Sequence, residues 1–199
     1  MKRILEYPRI YNFYQRLIGS RPYLKRFKSR FLKIEDGMKI LDMGCGTSNI
    51  LEFINEDVKY YGVDCSQKYI DYSSKNFTKH RFVCQSICKK LDIDEKFDVV
   101  ISKGVLAALS DVQLCKMFEV IVSLSNQNTK IILSDMNYKT DACWLQKFLQ
   151  RNERNKNLRS KEDYIKIISK YFDIDNITEL DNIYRIPYSR IVFECHIKN

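Results

Sequence analysis

No apolar run in these 199 residues approaches the roughly 20 that a membrane-crossing helix needs, and the N-terminus lacks the apolar core of a secretion signal. The seven cysteines are odd in number and scattered, with no C-x₂-C pair among them. That pattern suits reduced thiols rather than a disulfide framework, so an intracellular, cytoplasmic protein is expected. His80, Cys84 and Cys88 recur every four residues, but their segment reads as strand and turn and a fourth ligand is missing. No metal site is assigned. Internal repeats and low-complexity linkers are absent as well, so residues 1–199 read as one domain. What is present is ordinary globular composition, 45% apolar and 30% charged, enough for a sizeable core.

Acid is nearly missing from the start of the chain. Residues 1–34 hold ten Lys or Arg against the single Glu6, so the whole formal charge of +9 belongs to that segment and the remainder is neutral. Pro8 can open a helix there, with Tyr7, Tyr11 and Tyr14 on one side and Ile10, Phe13 and Leu17 adding apolar surface. Gly19 can end it, and Ser20 can cap a second helix with Pro22 in its first turn. Leu24, Phe27, Phe31 and Leu32 then repeat at helical spacing. Both helices are expected to pack on residues 35–199. Their basic side is either a solvated face or a cover offering cations to an anionic acceptor, a nucleic acid or a membrane surface.

The rest of the chain is organised around Met38 to Leu51, MKILDMGCGTSNIL. An apolar run leads into Gly44-Cys45-Gly46, and a helix is expected from Thr47 and Ser48 through Ile50, Leu51, Phe53 and Ile54. Strand, glycine turn and helix start form a nucleotide-binding βα unit, in which backbone N–H groups come close to a ligand. Asp64 ends the next apolar run, 18 residues past Gly46, about where a carboxylate meets a ribose hydroxyl pair. The third glycine of a dinucleotide fingerprint is replaced by Asn49, and no GxxxxGK[ST] loop exists. Two glycines preceded by Asp42 suit a ligand recognised by its adenosine and an amino-acid tail.

LDMGCGTSNIL resembles the first motif of class I S-adenosylmethionine-dependent methyltransferases. YYGVDCS is similar to their second motif, RFVCQSI to the third, FDVVISKGVLAALSD to the fourth and IILSDMN to the fifth strand. The resemblance covers roughly Glu35 to Met136. It implies S-adenosyl-L-methionine as cofactor, with a donor site formed by Asp42, Gly44, Cys45, Gly46, Asp64, Cys65, Ser86, Ile87 and Ser102. In that assignment Gly44 and Gly46 line the methionine end, Asp42 props the loop, Asp64 takes the ribose hydroxyls, and Ser86 and Ile87 flank the adenine. Ser86 stands where the family commonly has an acid, and Ala107 and Ala108 where many small-molecule members have a histidine pair. No catalytic residue is carried over. Ser102-Lys103-Gly104-Val105 replaces the DPPY-like sequence of DNA adenine methyltransferases.

Apolar strands and amphipathic helices alternate through the body. Ser66–Asn76 reads as helix, His80–Cys84 and Phe97–Ser102 as strands, and Ser110 as the cap of a helix carrying Leu114, Met117, Phe118 and Ile121. Ile131-Ile132-Leu133 is a covered strand, and Asp135 and Tyr138 follow it where pocket residues fall. Trp144, Leu145, Phe148 and Leu149 mark a helix within residues 138–156. Ser160 with Glu162 and Asp163 opens another, and Phe172–Leu180 and Arg190–Lys198 are strands. The alternation implies an α/β fold with a doubly wound parallel sheet. The family resemblance implies seven strands in the order 3-2-1-4-5-7-6 with the last strand antiparallel. The expected activity is methyl transfer to a small-molecule or biosynthetic-intermediate acceptor. An RNA or protein acceptor, or a non-catalytic nucleotide-binding module, are the alternatives.

Overall fold

A computed structural model describes residues 6–138, 157–181, 184–185 and 189–198. Helices α1 (Pro8–Ile18) and α2 (Ser20–Phe31) precede a βα series. The series runs β1 (Lys39–Met43), β2 (Lys59–Asp64), α3 (Gln67–Asn76), β3 (Arg81–Cys84), β4 (Val99–Lys103), α4 (Asp111–Ser123) and β5 (Lys130–Met136). It ends with α5 (Lys161–Ile168), β6 (Phe172–Leu180) and β7 (Arg190–Ile197). The sheet order is β3-β2-β1-β4-β5-β7-β6. β1 to β5 pair in parallel, and β7 runs antiparallel between β5 and β6. Because β2 and β4 flank β1 on opposite sides, the carboxyl end of β1 is the switch point where such sheets bind ligands.

Side-chain alternation divides the core into two layers. Leu41, Met43, Val100, Leu133 and Phe193 face the side packed by Phe118 of α4 and Tyr164 of α5. Ile40, Val99, Ile101, Ile132 and Val192 face the other side, covered by Tyr23, Phe27 and Phe31 of α2. Burying each of these aromatic side chains contributes about 1.5–3 kcal/mol, so α2 is an integral wall. Ser110 and Gln113 form a capping box at α4, and Ser160 and Asp163 form one at α5. Arg159 ties the two starts together, donating to Asp111 (2.6 Å) and to the Leu106 and Leu109 carbonyls (2.9 and 2.8 Å).

Three expectations need correction. After the glycine loop only a 3₁₀ turn forms, Asn49–Phe53, because Ser48 takes a left-handed conformation (φ 52°) that interrupts the helical path. Gly19, not Ser20, is the N-cap of α2; its φ of 89° makes the reversal between the two helices. Most consequential is the orientation of α1: its apolar stripe faces outward, with Ile10 42%, Phe13 63% and Leu17 53% exposed, whereas Asn12 is buried. The helix expected within residues 138–156 lies almost wholly outside the described residues. Among the described residues no helix is long and apolar enough to cross a membrane.

Candidate active site

The glycine loop is held by the strand beside it. The Gly44 and Cys45 N–H groups both donate to the Val63 carbonyl (2.7 and 3.0 Å), turning the chain sharply off the end of β1. Gly44 has φ 83°, and a Cβ there would sit 2.3 Å from Val105 Cγ2, so only glycine fits. Gly46 has φ 56°, and a Cβ there would meet no atom within 4 Å. The loop backbone is therefore open on the side where a ligand would approach.

Asp64, half-buried at the end of β2, braces this loop. Its Oδ2 accepts from the Gly46 N–H and its Oδ1 from the Ser66 N–H, both at 2.9 Å. Burial pushes its carboxyl above the usual aspartate value, against the backbone N–H groups of Ser66, Gly46 and Cys65. A carboxylate oxygen accepts more than one hydrogen bond, so each retains capacity for a hydroxyl. The Gln85 N–H donates to the Asp64 carbonyl (3.0 Å) and brings half-buried Ser86 to the same end of the sheet. Ile87 behind it belongs to the core.

The remaining donor-site residues sit differently. Asp42 is buried beneath the loop and accepts from the Tyr60 hydroxyl (2.6 Å), while the loop itself is propped by Val63, Asp64 and Ser73. Ser102 is fully buried and donates to the Met43 carbonyl (3.0 Å), tying β4 to β1 below the loop. Cys45 is half-buried and Cys65 exposed, and burial raises both thiols, so neither is an activated nucleophile.

Functional groups outside the sequence assignment cluster around this loop. Asn12 Oδ1 of α1 accepts from both Thr47 Oγ1 (2.7 Å) and Asn49 Nδ2 (2.9 Å), fastening the outer helix to the glycine loop. Tyr11 of α1 packs against Tyr69 of α3, the rings tilted at 41° with centroids 5.3 Å apart. At the carboxyl end of β4 and the amino end of the antiparallel β7, Lys103 and Arg190 lie on the face covered by α2, the same face as Asp42. Lys103 closes a strand whose other residues, Val99 to Ser102, are uncharged and buried, which is the signal that could have drawn attention to it. Arg190 carried no such signal. Burial lowers the Lys103 ammonium, opposed by the charge of Asp42, and burial raises the Asp42 carboxyl.

A family model described as a methyltransferase domain matches residues 34–186. A probable cobalt-precorrin-6B C(15)-methyltransferase (decarboxylating) of Thermoplasma acidophilum is 29% identical over 119 residues, 55% of this chain and 56% of that protein. The chain thus spans about half the length of this curated relative. Among solved structures, the N-methyltransferase NodS of Bradyrhizobium japonicum shares the fold with a TM-score of 0.71 at 11% identity, over 91% of this chain and 97% of that one. Magnesium protoporphyrin IX methyltransferase (ChlM) of Synechocystis, solved with S-adenosylhomocysteine bound, does so with a TM-score of 0.64 at 18% identity, over 93% and 84%. With its glycine loop, its strand order and a family-model match over most of its length, this chain belongs to the S-adenosylmethionine-dependent methyltransferase domain family.

Proposed function

We propose that the protein transfers a methyl group from S-adenosylmethionine to a small-molecule acceptor. The observation that carries this reading is the open backbone over Gly46 beside the half-buried Asp64 carboxylate, both at the switch point of the sheet. These groups fit the donor: Asp64 has lone pairs left for two ribose hydroxyls, and the Gly44–Gly46 bend leaves room for the methionine end. Ser86 and Ile87 flank the adenine in this reading, and α1, fastened through Asn12, closes over the loop. The Thermoplasma relative acts, by its name, on a cobalt-precorrin, which favours a biosynthetic intermediate as the class of acceptor.

Once bound, S-adenosylmethionine supplies a sulfonium methyl already activated for in-line attack. What the chain contributes is position: it holds the acceptor nucleophile in line with that methyl and keeps water out. A general base is required only where the acceptor loses a proton.

Melting the full-length protein with S-adenosylhomocysteine, NAD and ATP at matched concentration tests the donor. The homocysteine ligand should give the largest shift, and a larger shift with NAD would overturn the reading. Transfer of labelled methyl into a cell extract split into metabolite, RNA and protein fractions tests the acceptor. Label should enter the metabolite fraction; label confined to RNA or protein would refute the small-molecule assignment.

A further inference from the structure

At the carboxyl ends of β4 and β5 and the amino end of the antiparallel β7, a guanidinium is left incompletely paired. Arg190 Nε and Nη1 are buried and, among the described residues, have no hydrogen-bond partner. The guanidinium lies 5.2 Å from the Tyr23 ring and 5.5 Å from the Tyr184 ring, and its Nη2 would be 3.5 Å from a Cβ on Gly104, just after β4. Lys103 lies close by, makes no ion pair among the described residues and, like Arg190, keeps part of its surface accessible.

The nearby carboxylates do not use these donors. Asp135 accepts from the Ala107 N–H (2.9 Å) and the Met136 N–H (2.7 Å), and Asp42 accepts from Tyr60. A buried guanidinium stays protonated, and leaving its N–H groups unpaired is costly. The cost is relieved when a ligand brings the acceptor.

We propose that Arg190 is the seat for a carboxylate of the methyl acceptor, and that the acceptor is therefore a small organic acid. This rests on the methyltransferase reading above. The donor's recognised ends lie over β1 and β2, at Gly46 and Asp64, whereas Arg190 opens β7, beyond β4 and β5. That is the side from which a second ligand would meet the donor. The Tyr23 and Tyr184 rings flank the guanidinium, and the Tyr23 and Ser134 hydroxyls are hydrogen-bonded at 3.2 Å. Because Nε and Nη1 are buried, seating the carboxylate on them requires a rotation of Arg190 or of the Tyr184 ring. The ring faces then cover the acid's apolar part.

The test uses the full chain saturated with S-adenosylhomocysteine, whose own binding checks the donor reading independently. Benzoate, phenylacetate and glutarate are titrated by ligand-observed NMR against benzamide, phenylacetamide and glutaramide. At least one acid should bind about tenfold more tightly than its amide, as expected for one charge-assisted contact. R190Q should abolish the preference and R190K should keep part of it, with S-adenosylhomocysteine affinity within about twofold of wild type in both. Retained S-adenosylhomocysteine binding also shows that the variants fold. Three results would overturn the proposal: no acid binding to wild type, equal binding of acids and amides, or acid preference surviving in R190Q. A fourth is loss of S-adenosylhomocysteine affinity in both variants with no loss for its decarboxylated analogue, which would assign Arg190 to the donor's carboxylate instead.

Discussion

Replacing Asp64 tests the proposed donor site, because the carboxylate that braces the glycine loop is also the one we propose takes the ribose hydroxyls. In the ligand-free protein it accepts two backbone N–H bonds at 2.9 Å. Hydrogen bonds to a charged group contribute about 1.5–3 kcal/mol, and the low end applies to a half-buried site, so D64A should cost up to about 3 kcal/mol of stability. For a chain of this size that is a melting decrease of about 6–12 °C. The cost of burying the charge offsets part of it, and D64N, which keeps one acceptor oxygen without the charge, should melt within a few degrees of wild type. Donor binding responds differently. In the proposed site, two ribose hydroxyls donating to the carboxylate would contribute about another 3 kcal/mol, so D64A should weaken S-adenosylhomocysteine by about 100-fold, and D64N by at least about tenfold.

The pH dependence has a definite sign. Burial raises the Asp64 carboxyl above the ordinary value of 3.8, so donor affinity should be flat above the raised value and fall as pH drops through it. Ligand-free stability should move the opposite way. A raised folded-state value makes the neutral form's contribution complete below the unfolded value and lost as pH rises through the folded one. Titration calorimetry across pH 4 to 8, with melts at each pH, reads both. If D64N and D64A keep wild-type donor affinity, Asp64 is a loop brace and nothing more.

The two loop glycines should behave oppositely. G44A must push Val105 aside at a left-handed position and should destabilise by about 2 kcal/mol or more, whereas G46A pays only left-handed strain of about 1–2 kcal/mol and should instead weaken the donor; equal melting losses with equal affinity would contradict the geometry. N12A leaves the Thr47 hydroxyl and Asn49 amide without their shared acceptor, so stability should fall by about 1–2 kcal/mol and α1 amides should exchange faster. Unchanged α1 exchange in N12A, or loss of protection in N12D as well, would refute the latch. Arg26, Arg30 and Lys33 are exposed, and changing all three to Gln should leave the melting temperature unchanged. K28Q should lower it slightly, by about 1 kcal/mol at most, since Lys28 pairs with Glu56. The Lys28 bond holds the Glu56 carboxyl below its usual value, so the pair's contribution is present above the ordinary carboxylate range and lost as pH falls through the lowered value.

Much of the architecture was legible from local pattern. Val99-Val100-Ile101 and Ile131-Ile132-Leu133 read as strands because apolar groups on both faces require cover on both faces, and the sheet supplies it. The glycine turn and Asp64 were legible because their spacing in sequence is set by a single βα crossover. Ser110 and Ser160 were legible as caps because the partners that satisfy them lie three residues on. Each of these depends on neighbours along the chain.

What the sequence left open depends on neighbours across it. Periodicity marked an apolar stripe on α1 but not its direction; the direction follows from Asn12, whose partners Thr47 and Asn49 lie 35 and 37 residues away. A helix after Ser48 was a sound reading of composition, but the left-handed turn that ends the loop overrides it. Lys103 and Arg190 become neighbours only because β4 and β7 both flank β5 and strand parity turns both side chains toward α2. Spacing along one chain carries no information about strand order. The cations were therefore visible as residues, and only the assembled sheet made them a site.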